Sequence, residues 1–249
     1  MKNKSTKRYE HKVIYNWVEP RTTVLDIGCG DGVLLKMLQE RKNCRCRGLD
    51  IADTELEYAR QSGVAVNHWD LNTMPLLDYG SDTFDNVVIC DVLEHILNPL
   101  IVLREAVRIS RRHIFVSIPN LAEYWNRLDL MMGISPRYYH FDKTIWDSGH
   151  IRFLTIKDIK RLAKLEDLNI RNTDYIYFHG IFRSKVKGYY LDSLWDIDGE
   201  NGHNFISSMY KSLSRIFNCA PNFFASIGIF HFEKLPKVLL KPYLVNNKG

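Results

Sequence analysis

Val24-Leu25-Asp26-Ile27-Gly28-Cys29-Gly30-Asp31-Gly32 runs from an apolar stretch into glycines at every second position, and a helical pattern starts where it ends. A chain leaving a buried strand in this way must turn sharply, and glycine supplies the left-handed backbone angles that other residues resist. The turn then aims the unpaired N–H groups of the next helix into a crevice at the carboxyl end of the strand, where open α/β sheets hold ligands. Side chains would block that approach, so the glycines that make the bend also keep the site open.

Outward from this turn, strands and helices alternate. The patterning predicts strands at 23–27, 45–50, 64–68, 85–90 and 113–118, with helices near 32–41, 53–62 and 99–109 between them. Such alternation builds a parallel sheet with helices on both faces. Upstream, Tyr9, Val13, Ile14, Trp17 and Val18 recur at helical spacing, and Glu19-Pro20 ends that helix. Residues 121–154 carry Trp125, Met131, Met132, Tyr138, Tyr139, Phe141 and Trp146 without a steady period and read as an inserted cap. Thr155, with Asp158 three residues on, opens a helix through Leu165.

Strands at 171–178 and 223–232 complete a doubly wound, mostly parallel, seven-stranded α/β sheet. A second insertion, 180–222, holds a turn-rich Asp196–Gly202 and an amphipathic helix from Phe205 to Phe217, with Lys211 and Arg215 opposite its apolar stripe. Docking on the domain, forming a homodimer and resting on a membrane surface are all open to that helix. The expectation is one domain over 1–249 with two insertions.

Composition narrows the function. The 249 residues are 45% hydrophobic and 25% charged, as in ordinary globular chains. A formal charge of +5, gathered toward the ends, is too small to indicate specific nucleic-acid binding. The five cysteines (Cys29, Cys44, Cys46, Cys90 and Cys219) lack paired CxxC spacing and read as reduced cytoplasmic thiols. The first residues lack the apolar core of a secretory signal, and the longest apolar run is about half the ~20 residues a spanning helix needs. No transmembrane segment is expected.

The glycine turn alone could hold a nucleotide, hold the carboxylate of S-adenosylmethionine (SAM), or serve only as a tight bend. Its spacing is GxGxG, with Val33 where a dinucleotide fingerprint has its third glycine, which leaves NAD as a lesser alternative. Gly48-Leu49-Asp50 sets a carboxylate at the end of the second strand, twenty residues after Gly30, where it can accept both ribose hydroxyls. Asp70 follows the third strand, placed either to meet an adenine edge or to make a turn. The fourth strand emerges as Cys90-Asp91-Val92-Leu93-Glu94-His95 at the same edge. Glu94 and His95 suit acid/base work or loop capping, and their adjacency is not a metal signature; no metal site is expected.

Taken together, Val24–Gly32, Gly48–Asp50, Asp91-Val-Leu-Glu-His95 and Ser117-Ile-Pro-Asn120 resemble a class I SAM-dependent methyltransferase over roughly residues 9–180. Within that superfamily Leu34-Leu35, Gly63-Val64, Asp70-Leu-Asn72, Arg108–Ile114 and His150–Ile156 are most similar to the methionine-biosynthesis MetW family. The resemblance implies a Rossmann-like fold and a SAM pocket formed by Asp26, Gly28, Gly30, Asp50, Asp70 and Leu71, with the backbone near Cys90 and Asp91 receiving the methionine end. It implies no catalytic base.

SAM carries an activated methyl, so alignment and exclusion of water can do most of the catalysis, and the acceptor decides whether a base is needed. His95, Tyr124, His140 and His150 are the candidates that topology brings to the reaction face, each with core packing or capping as its alternative. The expected activity is methyl transfer to a small-molecule acceptor or to a lipid or saccharide of the cell envelope. The expected location is the cytoplasm, with peripheral membrane attachment as a variant. A second reading, implied by the MetW resemblance, is a partner or regulator of a homoserine O-acyltransferase.

Overall fold

The structure, a computed structural model, describes residues 8–72, 79–136, 149–176 and 219–235. In chain order these form α1 (Tyr9–Trp17), β1 (Thr23–Ile27), α2 (Val33–Lys42), β2 (Arg45–Asp50), α3 (Asp53–Gln61), β3 (Val66–His68) and β4 (Phe84–Cys90). A 3-10 turn, Leu93–His95, leads to α4 (Pro99–Ile109), β5 (Ser110–Pro119), α5 (Tyr124–Met131), α6 (Ile156–Leu165), β6 (Leu168–Ile176), a short α7 (Pro221–Phe224) and β7 (Ile227–Lys234).

Seven strands form one sheet in the order β3-β2-β1-β4-β5-β7-β6. The first five are parallel, and β7 runs antiparallel between β5 and β6. Burial on both faces follows from the period-2 geometry of a strand. Val87 and Ile89 join Leu25, Ile27 and the inner faces of α4 and α6, whereas Val88 and Cys90 join Val24 and the inner faces of α1, α2 and α3. The chain order reverses between β1 and β4, so the crevice above their carboxyl ends lies where doubly wound sheets bind ligands.

The first two strands have the expected bounds, and Thr155 caps α6 through a reciprocal capping box with Asp158. All five cysteines are free thiols. The final strand differs from expectation: residues 221–224 form α7, and β7 starts at Ile227 instead of Phe223. Pro221 at the first helical position fixes a helical φ and has no N–H to lend a strand. β6 begins at Leu168 and α5 arises inside the supposed irregular cap. Five of the nine residues of β6 and four of the eight of α5 are exposed, so neither strand nor helix leaves a clear apolar period. The remainder of both insertions, including 137–148 and the 205–217 helix, lies outside the described residues. Among the described residues no helix is long and apolar enough to cross a membrane.

Candidate functional site

The glycine turn has the expected backbone. Gly28, Gly30 and Gly32 have φ of 79°, 52° and 73°. The N–H groups of Gly28 and Cys29 both donate to the Leu49 carbonyl, at 2.7 and 3.0 Å, and so tie the turn to the end of β2. A Cβ on Gly28 would lie 2.2 Å from Cγ2 of Val92, so part of this glycine's role is to admit the chain leaving β4. Gly30 is different: a Cβ there would meet nothing within 4 Å. Open space above Gly30 is what a cofactor cradle requires.

Asp50, at the end of β2, is bonded to this glycine. Its Oδ2 accepts the Gly30 N–H at 2.8 Å, and its Oδ1 accepts the Ala52 N–H at 2.9 Å. A carboxylate offers about four acceptor positions, so two bonds leave capacity for a pair of hydroxyls. Asp26, on β1, is only 3% exposed, and its Oδ1 has no hydrogen-bond partner. Burial, followed by the negative charge of Asp50, pushes its carboxyl up to about 7, while Arg8 pulls the other way.

Cys90 and Asp91 stand at the carboxyl end of β4, the strand paired with β1. Asp91 adopts φ 53°, its Oδ1 accepts from the Ser117 hydroxyl at 2.7 Å, and its carboxylate pairs with the Arg8 guanidinium. Cys90 Sγ lies 3.0 Å from Ser117 Oγ, and burial raises its thiol to about 12. A thiol held neutral in this way packs instead of reacting. Asp70 Oδ1 accepts the Asn72 N–H at 2.9 Å, a turn-forming contact, and Leu71 packs half-buried against the core.

Beyond Asp91, the Leu93–His95 turn meets the segment before α6. The N–H groups of Ile151 and Arg152 both donate to the Glu94 carbonyl at 2.9 Å. His95 Nδ1 is 3.1 Å from the Gly149 carbonyl, and the His95 and His150 rings meet edge to face with centroids 4.7 Å apart. Two of the candidate histidines therefore stand together. Burial lowers His150 to about 4, helped by His95, so its imidazole is neutral near pH 7. Glu94 is 1% exposed and burial pushes it up to about 7. Tyr124 starts α5 and stacks on Phe223 with centroids 6.1 Å apart, which puts it in the packing between α5 and α7. His140 lies outside the described residues.

Arg8 and Ser117, the two partners of the Asp91 carboxylate, are residues that reading the sequence does not single out. Arg8 sits in a basic run that resembles a solvated terminus, and Ser117 is visible only as part of Ser117-Ile-Pro-Asn120.

A family model described as "Methionine biosynthesis protein MetW" matches residues 8–200. The bifunctional methionine biosynthesis protein MetXA/MetW of Rhodopirellula baltica is 30% identical over 176 residues, covering 66% of this chain and 27% of that protein. A ubiquinone biosynthesis O-methyltransferase of Pseudomonas paraeruginosa is 31% identical over 105 residues, covering 39% of this chain and 45% of that enzyme. The chain thus spans less than half the length of either curated relative. Among solved structures, a SAM-dependent methyltransferase from Archaeoglobus fulgidus superposes with a TM-score of 0.56 at 17% identity, covering 92% of both chains. At that identity the likeness establishes a shared Rossmann-like class I methyltransferase fold and no chemistry.

Proposed function

This chain belongs to the MetW family, and from that premise we propose that it binds SAM in the glycine crevice and transfers the methyl group to a small-molecule acceptor. The observation that carries the reading is the open space above Gly30 beside a half-buried Asp50 carboxylate with acceptor capacity to spare. Asp50 would take the ribose hydroxyls. The unpartnered Oδ1 of Asp26 suits the ammonium of the methionine end, a charged donor for a buried acceptor that otherwise has none. Val33 in place of a third glycine weighs against a dinucleotide.

Transfer itself is an in-line displacement at the methyl carbon. The acceptor lone pair forms the new bond as the carbon–sulfur bond breaks, and the neutral thioether leaves. Positioning supplies most of what the protein contributes to such a step. The 31% identity to a ubiquinone O-methyltransferase supports an acceptor that is itself a small molecule.

The MetXA/MetW relative favours a second reading, in which this chain associates with a homoserine O-acyltransferase and senses SAM. Calorimetry with SAM and S-adenosylhomocysteine tests the cofactor, and labelled SAM with fractionated cell extract tests transfer. Binding without transfer, together with co-purification of the acyltransferase, would favour the second reading. Absence of binding at millimolar ligand would sink both as stated.

A further inference from the structure

We propose that Glu94, His95 and His150 form a binding site for a divalent metal ion of the zinc type, with a coordination position left open for an oxygen of the acceptor. The second half of this proposal rests on the methyltransferase reading; the metal site does not.

One carboxylate oxygen and two imidazole nitrogens lie within 4.8 Å of one another. Ligands around zinc stand roughly 3.3–3.5 Å apart, so modest side-chain rotation closes the set around an ion. His95 is exposed and has room for that adjustment.

Glu94 supplies an independent reason. It is 1% exposed, and neither carboxylate oxygen has a hydrogen-bond partner. Buried carboxylates are normally paired or bound to metal, because an unpaired one is costly to remove from water. Its oxygens lie beside two imidazoles, the arrangement a cation would satisfy.

The backbone is arranged to hold this set. The paired N–H groups of Ile151 and Arg152 on the Glu94 carbonyl lock the segment carrying His150 onto the turn carrying Glu94 and His95. Because the Gly149 carbonyl can only accept, His95 Nδ1 must donate to it. That bond fixes the tautomer and leaves the Nε2 lone pair for a metal, the usual outer-sphere arrangement for a histidine ligand.

Two imidazoles and a carboxylate select a transition metal such as zinc over calcium or magnesium, which prefer oxygen ligands. Three protein ligands leave a position open. Glu94 follows Asp91 by three residues, so the ion would sit along the same sheet edge as the cofactor crevice. An acceptor hydroxyl bound there would release its proton to solvent. Its oxygen would then bond to the methyl carbon as the carbon–sulfur pair returns to sulfur.

The test uses the full chain, stripped with a chelator and titrated with ZnCl2 by calorimetry. One equivalent is expected at micromolar metal, weakened roughly ten-fold or more in Glu94→Gln and in His150→Phe. No binding by the parent protein, or equal binding by all three, overturns the site. Should a variant not fold, CoCl2 added to the parent protein decides: ring signals of two of its nine histidines should shift, and shifts in none, or loss upon mutation of other histidines only, would refute it. These titrations contain no SAM, so a failed metal site leaves the methyltransferase reading intact, and failed SAM binding leaves the metal site intact.

Discussion

Oδ2 of Asp50 accepts the backbone N–H of Gly30 at 2.8 Å and Oδ1 accepts that of Ala52 at 2.9 Å, so one carboxylate at the end of β2 pins the glycine turn that follows β1. Hydrogen bonds to a charged group are worth about 1.5–3 kcal/mol each. Asp50→Ala should therefore weaken SAM roughly ten- to hundred-fold by calorimetry, because the same group positions the turn and takes the ribose. Unchanged affinity would mean that the cofactor sits elsewhere.

Gly28 and Gly30 should respond differently to the same substitution. Gly28→Ala forces a methyl to 2.2 Å from Cγ2 of Val92, a β-branched side chain with little freedom, in a left-handed backbone. A loss of about 2–4 kcal/mol of stability is expected from overpacking and backbone strain together. Gly30→Ala meets no atom within 4 Å and should cost only about 1 kcal/mol, the left-handed term. Its larger effect should fall on SAM binding, where the methyl occupies the cradle. Equal stability losses in chemical denaturation would refute the distinction.

Much of this was legible in the sequence wherever one face of an element meets the core. β1 and α4 bury continuous or periodic apolar residues, and their bounds can be read from that pattern, from Pro99 and from the glycine after β1. α5 buries only Asp129 among its residues and exposes Leu128, Leu130 and Met131, so no apolar stripe announces a helix. At the site, Asp50 is legible because a strand end and a fixed spacing place it. The meeting of His95 with His150 is not, because two segments 55 residues apart (150 − 95) are brought together by tertiary contacts, among them hydrogen bonds to the Glu94, Leu97 and Gly149 carbonyls.

Asp26 should make folding stability fall as pH rises. Its carboxyl sits near 7 when folded against an ordinary value of 3.8, so between those limits the folded chain holds a proton that the unfolded chain has lost. The stabilisation is complete below about pH 4 and disappears as pH passes 7. Asp26→Asn removes that contribution, so the difference in melting temperature between variant and parent should widen in the variant's favour from pH 5 to pH 8. If an ammonium settles on Asp26, SAM binding near pH 6.5 should also release a proton. Calorimetry in two buffers of different ionisation enthalpy measures it, and identical heats would exclude that contact.

The His113–His231 pair should act in the opposite direction. Asn172 Nδ2 donates to His231 Nδ1 at 3.0 Å, which requires the proton of His231 to be on Nε2, and Nε2 lies 3.1 Å from His113 Nδ1. The relay is neutral, and a second proton on either ring would break it. Burial, aided by the neighbouring histidine and Arg171, lowers His231 to about 4, and burial also lowers His113. Glu233, Arg112, Arg171 and Glu19 are the charges acting on His113, while Trp17 and Phe115 cover His231 with apolar rings. Unfolded histidines take up protons below about 6.5 that these cannot, so the stabilisation is complete above that pH and is lost as pH falls toward 4. Parent and His231→Phe should therefore be compared at pH 7.5 and pH 5. The parent should lose more of its melting temperature than the variant does over that interval, since the variant has one fewer buried imidazole to protonate. Parallel losses would place the acid sensitivity in other groups, of which His11 and His150 are shifted the same way.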